Sequence, residues 1–377
     1  MSPVNVADYR KAAQRRLPKV LFDYIDGGAY AEWTLAENVE ALKRLTLRQR
    51  VLRDVSKLNF KTELFGQEMA MPVALAPVGY AGMNARRGEV QAARAAKAAG
   101  IPFCLSTVGL CSIDEVAKGA APPWFQLYMI RDRGLMDELL ATARAAACPV
   151  LLFTVDLPMP GVRYRDARNT MITSTAAARA RQVMDGLSHP GWLWDVQVNG
   201  GPHNMGNLAS ATQGLNTLAG YWGWVGRNFD PSVTWKDIDW VRERWPGPLV
   251  IKGILDAEDA REARACGADG IVVSNHGGRQ LDGAPASITA LPAIAAALDG
   301  TMPVLMDGGI RSGLDVLKAL ALGADACLIG RAWAFALAAR GEAGVAHVLS
   351  LMRQELRLAM SLTGCLDVAE AGSELLA

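Results

Sequence analysis

Histidine is scarce in this chain of 377 residues: four occur, His189, His203, His276 and His347. Paired cysteines are missing altogether. Cys104, Cys111, Cys148, Cys266, Cys327 and Cys365 form no C-x-x-C pair and no cluster with metal-ligand spacing, so no metal site is expected. They read as small buried hydrophobes in a reducing compartment. A dominant charge is missing too. The 39 Lys and Arg against 38 Asp and Glu leave a net charge of +1. That balance argues against nucleic acid as the main partner, because phosphate binding needs a strong positive excess. Small anionic substrates need only a few placed cations. No apolar run reaches the roughly 18 residues of a membrane span. Met1–Val20 carries Asp8, Arg10, Lys11, Arg15, Arg16 and Lys19 with no apolar centre, and does not read as a secretory signal.

What the chain has is apolar residues, 51% of the total, in a repeating order. Short apolar runs at Pro72–Val78, Ile101–Ser106, Trp124–Met129, Val150–Val155, Leu249–Gly253, Gly270–Ser274, Pro303–Met306 and Ala326–Ile329 are mostly continuous, as in parallel strands covered on both faces. Between them lie amphipathic segments with apolar residues three and four apart: Gly88–Ala99, Ser112–Lys118, Leu135–Ala147, Asp256–Cys266, Thr289–Leu298 and Ser312–Leu322. Several begin at Ser, Asp or Thr, which cap free N–H groups, and Gly100, Gly119, Gly267 and Gly323 stand where a helix must stop. Eight strand–helix units in succession predict an α/β fold closed into a (β/α)8 TIM barrel, one domain over residues 1–377 with its barrel over 72–364. Residues 1–71 form an N-terminal helical extension with two helix-like segments. A last helical region runs from about Ala332 to Leu362, broken near Gly341–Gly344. Residues 157–235 are too long for a βα loop and read as an excursion over the barrel mouth, with Trp192, Trp194, Trp222, Trp224 and Trp235 in or beside it.

In such a barrel the chemistry sits at the C-terminal ends of the strands. Those ends carry Ser106, Thr107, Gln126, Tyr128, Thr154, Asp156, Lys252, Ser274, Asn275, His276, Asp307 and Arg331. After the seventh and eighth strands, Gly308, Gly309 and Gly330 permit close backbone approach, and Arg311 and Arg331 add positive charge at a helix start, which together predict a phosphate pocket. Lys252 must face the barrel mouth or be neutralised. A Schiff-base lysine, a fixed cation beside a cofactor ring and a structural ion pair all fit it. His276 precedes Gly277-Gly278-Arg279. The glycine pair lets Arg279 return beside the imidazole, an arrangement suited to a base acting on a carboxylate-bearing substrate, with Asp156 in reach to orient the ring. His189 and His203 read as surface residues.

Ser274–Asp282 (SNHGGRQLD), supported in order by Ala76–Val78, Phe125–Tyr128, Asp307–Arg311 and Ile329–Arg331, resembles the signature of the FMN-dependent L-2-hydroxy acid dehydrogenase and oxidase family. Within it the chain is most similar to the branch of bacterial respiratory, quinone-linked lactate enzymes, over nearly its whole length. The resemblance implies FMN as cofactor and oxidation of L-lactate to pyruvate, with L-mandelate, another L-2-hydroxy acid or an oxygen-using oxidase as alternatives. It implies that His276 takes the proton, oriented by Asp156. Tyr24, Arg163 and Arg279 hold the substrate carboxylate and Tyr128 lies near the hydroxyl. The backbone of Ala76, Pro77, Val78 and Gly79 meets the flavin N5 edge. Ser106, Gln126 and Thr154 bond the ring, Lys252 faces its N1–O2 edge, and Ser274 contacts the ribityl region. Asp307, Gly308, Gly309, Arg311, Gly330 and Arg331 bind ribityl and phosphate. Further implied are a quinone acceptor, a homotetramer, and peripheral attachment to the cytoplasmic face of the inner membrane through the 175–225 region, where tryptophans and Arg179 and Arg181 would meet lipid.

Overall fold

A computed structural model describes residues 2–169, 171–173, 175–215 and 217–377. Eight parallel strands follow one another around a barrel: β1 (Val73–Leu75), β2 (Cys104–Ser106), β3 (Trp124–Tyr128), β4 (Leu151–Thr154), β5 (Leu249–Ile254), β6 (Gly270–Val273), β7 (Val304–Met306) and β8 (Ala326–Ile329). The β1–β2 seam is held by a single parallel bridge, Leu75 to Phe103, with the Leu75 N–H donating to the Pro102 carbonyl at 2.9 Å. All eight strands lie inside or across the apolar runs of the sequence.

Side chains alternate across a strand with period two, and the core divides accordingly. Leu105, Phe125, Leu127, Leu151, Phe153, Ile251, Ile271, Val273 and Ile329 point out and pack against the helices. Ala74, Cys104, Trp124, Leu152, Val250, Val272, Leu305 and Ala326 form a separate cluster in the lumen. Two residues further along the same strands the lumen positions become polar: Ser106, Gln126, Thr154, Lys252, Ser274 and Asp307, all buried. The lower lumen is therefore an apolar plug and the upper lumen a ring of hydrogen-bonding groups.

An antiparallel hairpin absent from the sequence reading, Thr62–Leu64 with Gln67–Met69, closes the bottom. Its Phe65 meets Trp124 edge-on at 5.8 Å, and Trp124 Nε1 donates to Gln67 Oε1 at 3.2 Å. Gly270 is required beneath it, since a Cβ there would stand 2.8 Å from Phe65 Cζ.

The N-terminal extension holds three helices rather than two: α1 (Val6–Arg16), α2 (Lys19–Asp26) and α3 (Trp33–Arg44). Extended backbone at Leu17 (ψ 143°) and Pro18 (ψ 143°) divides what reads as one segment, because Pro18 supplies no N–H and disfavours helix before it. The last helix, Arg331–Thr363, breaks at Arg340 (φ −146°) and Gly341 (φ 59°), at the start of the predicted interval.

The excursion is largely helical, with Tyr164–Arg168, Ala176–Leu187, a π-helical turn at Leu193–Val198, and Leu218–Asn228. Its tryptophans correct the expectation of a tryptophan anchor. Trp192 and Trp224 are buried, Trp222 and Trp235 are half-buried, and Trp194 alone of the five is open, at 67% exposure. The apolar surface of the excursion is mostly aliphatic: Val183, Met184, Leu187 and Val198 are exposed beside Trp194. No helix among the described residues is long and apolar enough to cross a membrane.

Candidate active site

A cleft enclosing about 1160 Å³, open solvent at its mouth included, lies over the C-terminal ends of the strands. Its floor comes from Ala76–Tyr80, Tyr128, Thr154, Lys252, His276, Asp307–Arg311, Gly330 and Arg331. Tyr24 and Ile25 of α2 wall one side. Leu157, Pro160, Arg163, Trp222, Val225 and Phe229 of the excursion wall another. Among the described residues no group of His, Cys, Asp and Glu could hold a metal ion.

His276 follows β6 at φ +56°, with Gly277 (φ 64°) and Gly278 (φ 72°) after it. Three consecutive left-handed residues are unusual, and a non-glycine among them stores strain of the kind found at functional sites. The turn is pinned by the His276 N–H donating to Ser274 Oγ at 3.0 Å. The imidazole shares a 2.8 Å hydrogen bond between Nδ1 and Asp156 Oδ1, which turns Nε2 towards the cleft. Asp156 fits because β5 bulges at Gly253 (φ 115°), where a Cβ would fall 2.6 Å from the Asp156 Cβ. Burial lowers the His276 pKa more than the Asp156 carboxylate raises it, so the ring is neutral near pH 7. Burial pushes the Asp156 pKa up, but His276 and Lys252 pull it further down, and Asp156 stays ionised.

Two guanidiniums face this pair. Arg163 is buried and lies 4.9 Å from the Trp222 ring and 5.9 Å from Tyr24. Its nearest carboxylate is Asp166 Oδ2, 3.7 Å from Nη1, and both Nε and Nη1 are without hydrogen-bond partners among the described residues. Burial, then Arg279, lowers its pKa to about 10. Arg279 lies over the Tyr24 ring at 4.9 Å and donates through Nη1 to the carbonyls of Tyr24 (2.6 Å) and Gly27 (2.9 Å), at the end of α2. Tyr128 packs on Phe229 at 4.7 Å, and burial together with Asp156 raises its pKa, so the phenol keeps its proton.

Beneath the cleft, Lys252 Nζ donates to Ser274 Oγ (2.8 Å) and pairs with Asp307 Oδ2 (2.9 Å), while the Ser274 hydroxyl donates to Asp307 Oδ1 at 2.6 Å. Burial opposes the charge on Lys252, yet Asp307 and Asp156 outweigh it and raise the pKa. The group is an ammonium rather than a nucleophilic amine, which removes the Schiff-base reading. Ser106 Oγ donates to Gln126 Oε1 at 3.1 Å, leaving Gln126 Nε2 buried without a partner among the described residues, as is Thr154 Oγ1. Ser106, Gln126, Asp156 and Ser274 stand behind the lining rather than in it.

At the far end, Gly308 (φ 93°) and Gly309 (φ 87°) form a turn against α3, where a Cβ on Gly309 would sit 2.1 Å from the Asn38 carbonyl oxygen. Neither Arg311 nor Arg331 has a carboxylate in ion-pair range among the described residues, and burial lowers the pKa of both. Arg331 donates to the carbonyls of Asp26 (3.3 Å), Gly27 (2.7 Å) and Gly277 (2.9 Å), so it also ties α2 to the His276 turn. Half-buried guanidiniums without a close carboxylate, beside two left-handed glycines, have the chemistry to take a phosphate.

Sequence reasoning missed Tyr80, Asp166 and Trp222. Tyr80 adjoins the Ala76–Gly79 stretch already singled out. Asp166 sits three residues after Arg163, a spacing that brings the two together on one helical turn. For Trp222 no local signal exists, because its place depends on how the excursion folds back.

Comparison with known proteins identifies the family and the fold. The family model described as FMN-dependent dehydrogenase matches residues 13–377. An L-lactate dehydrogenase of Chromohalobacter salexigens is 58% identical over 97% of this chain and 93% of its own length. One of Caulobacter vibrioides is 58% identical over 99% and 97%. Among solved structures, a monotopic membrane protein, (S)-mandelate dehydrogenase, superposes with a TM-score of 0.93 at 38% identity over the whole of both chains.

Proposed function

The chain belongs to the FMN-dependent dehydrogenase family, its cofactor is FMN, and from that premise we propose that it oxidises L-lactate to pyruvate, with His276 as the base. The observation that carries the reading is the His276–Asp156 pair, 2.8 Å apart, at the cleft that Arg163 and Arg279 also line. The 58% identity to L-lactate dehydrogenases supports lactate over mandelate.

The residues fit FMN. The unpartnered Gln126 Nε2 and Thr154 Oγ1 suit the polar edge of a flavin ring, with Ser106 orienting Gln126. Lys252, held charged by Asp307 on the Ser274 hydroxyl, would face N1–O2, and the backbone of Ala76, Pro77, Val78 and Gly79 would meet N5. Asp307, Gly308, Gly309, Arg311, Gly330 and Arg331 would hold the ribityl chain and phosphate, and Ser274 would act from behind through Asp307. FMN supplies the two-electron acceptor.

In the substrate half, Arg163 and Arg279 bind the carboxylate, offering N–H donors to both of its oxygens, and the Tyr24 hydroxyl joins them. Tyr128, kept protonated, donates to the substrate hydroxyl. His276 Nε2 takes the proton, and Asp156 stabilises the imidazolium that results. Trp222, Val225 and Phe229 exclude water and meet the substrate methyl.

We further assign the electrons to a membrane quinone and the protein to the cytoplasmic face of the inner membrane, as a peripheral protein. The exposed Val183, Met184, Leu187, Trp194 and Val198, with Arg179 and Arg181 nearby, support a lipid contact. We also assign self-association, as a tetramer; the exposed Leu358, Leu362 and Leu366, tied to the 50–52 stretch by the Arg50 N–H on the Leu362 carbonyl, support a contact between copies without fixing their number.

The test is anaerobic mixing of the yellow holoprotein with L-lactate and, separately, L-mandelate. Bleaching of the flavin band by lactate is expected. Bleaching by mandelate alone would keep the family and move the substrate. Bleaching by neither would overturn the proposal.

A further inference from the structure

A second concavity, of about 1250 Å³ with open solvent at its mouth included, shares no lining residue with the cleft. Five arginines line it, Arg16, Arg86, Arg87, Arg94 and Arg340, against three carboxylates. Two of the arginines are fully engaged. Arg16 pairs with Asp195 (2.6 Å) and donates to the carbonyls of Asn84 and Ala338. Arg87 pairs with Glu115 and donates to the Pro202 carbonyl at 2.8 Å.

The other three lack a close carboxylate. Arg86 Nε stays 3.7 Å from Asp195, whose other oxygen Arg16 already holds. Arg94 reaches Glu342 only at 4.0 Å and donates through Nε to the Gly119 carbonyl at 2.8 Å. Arg340 has no carboxylate in ion-pair range among the described residues; its Nη1 lies 3.4 Å from Ser2 Oγ and its side chain also hydrogen-bonds the Tyr9 hydroxyl. The long C-terminal helix is interrupted at this wall, at Arg340 and Gly341, and the Glu342 N–H after the break is held by Gln91 Oε1 at 2.7 Å.

What marks the groove is its neighbour. Asp195 belongs to the Leu193–Val198 turn, whose Trp194 (67%) and Val198 (60%) are exposed. Val183, Met184 and Leu187 are exposed on the Ala176–Leu187 helix that leads into this turn. An apolar face joined at its edge to under-paired guanidiniums matches the layering of a lipid surface, acyl region beside headgroup.

We propose that this groove binds the phosphodiester of an anionic phospholipid headgroup through Arg86, Arg94 and Arg340, an inference that rests on the membrane reading above. A soluble phosphate offers the same chemistry, and the experiment separates the two.

Holoenzyme is floated with vesicles of phosphatidylcholine alone and with added phosphatidylglycerol. The variant R86Q/R94Q/R340Q is compared with R261Q/R264Q/R357Q, which removes three exposed arginines elsewhere. Near an anionic surface each arginine is worth about fivefold in partitioning, so the groove variant should lose on the order of 100-fold of the phosphatidylglycerol-dependent gain. Its flavin absorbance and its binding to neutral vesicles should be unchanged, and the control should stay within a few-fold of wild type. R340Q alone, which breaks no carboxylate pair, should lose about fivefold. Equal losses in groove variant and control, or none in the groove variant, would overturn the proposal. So would wild-type binding indifferent to phosphatidylglycerol, although the membrane reading would then stand. Wild type that binds no vesicle would sink the membrane reading and this proposal together. Titration calorimetry with inorganic phosphate separates the sources: binding lost in the groove variant, without any vesicle effect, would assign the groove to a soluble anion and refute the lipid.

Discussion

Asp156→Asn is the most informative single change, because it removes a charge and almost no volume. Asp156 does two things for His276: it fixes the tautomer through Nδ1, and it stabilises the imidazolium formed when Nε2 takes a proton. A neighbouring carboxylate shifts a pKa by roughly 1–3 units, each about 1.4 kcal/mol, so the charge alone is worth about 1.4–4 kcal/mol in the transition state. Loss of the tautomer adds to this, as it does where a buried carboxylate orients a catalytic histidine in serine proteases, and the rate of flavin reduction should fall about 10²–10⁴-fold. The pH profile supplies an independent sign. Burial holds the His276 pKa below its usual 6.5 while Asp156 pulls it up. The rate should therefore be level at neutral pH and fall as pH drops below the usual imidazole range. In the asparagine variant the upward pull is gone, so the acidic limb moves to lower pH while the plateau falls. Stopped-flow bleaching by L-lactate without oxygen reads both quantities. A rate within about fivefold of wild type, or a limb that moves up, would refute the pairing as the catalytic device.

Arg311→Gln should raise the dissociation constant for FMN about 10–100-fold, since a charge-assisted bond to phosphate is worth about 1.5–3 kcal/mol; fluorescence titration of apoprotein with FMN reads this, and an unchanged constant would remove Arg311 from the phosphate site. Trp222→Ala takes away the ring 4.9 Å from Arg163. The KM for lactate should rise about 2–30-fold with kcat nearly constant, from a cation–π contact of about 0.5–2 kcal/mol, and bulkier 2-hydroxy acids should gain relative kcat/KM; a fall in kcat alone would contradict it. Gly309→Ala combines φ +87° with a Cβ 2.1 Å from the Asn38 carbonyl oxygen, whereas Gly66→Ala at φ +72° has nothing within 4 Å. Urea unfolding should show a loss of about 1–2 kcal/mol at Gly66 and clearly more at Gly309; equal losses would mean that the turn against α3 yields freely.

The barrel was legible because each of its signals is local. A strand covered on both faces must be apolar throughout, a helix after it must repeat every three to four residues, and the chain must stop at glycine between them. The luminal plug was legible in principle as well. Positions Trp124, Gln126 and Tyr128, or Val250 and Lys252, follow from period two alone, and the change from apolar to polar along them points to the catalytic end. The hairpin under Trp124 was not legible, since its two strands are too short to show alternation.

The amino-acid order alone determined which residues stand at the strand ends, and so that His276, Arg279, Lys252, Asp307 and Arg311 converge on one rim. Only the tertiary structure decided what those residues meet. Arg279 takes its acceptors from α2, about 250 positions away in the chain. Lys252 is charged because Asp307 is two strands over, and the half of the cleft we assign to the substrate carboxylate is walled by Tyr24, Arg163 and Trp222, which come from outside the repeat. Periodicity is a property of a single segment and survives any arrangement of its neighbours. A buried ion pair or an aromatic wall exists only once loops of unrelated length have brought distant segments within a few ångströms, and no local pattern encodes that path.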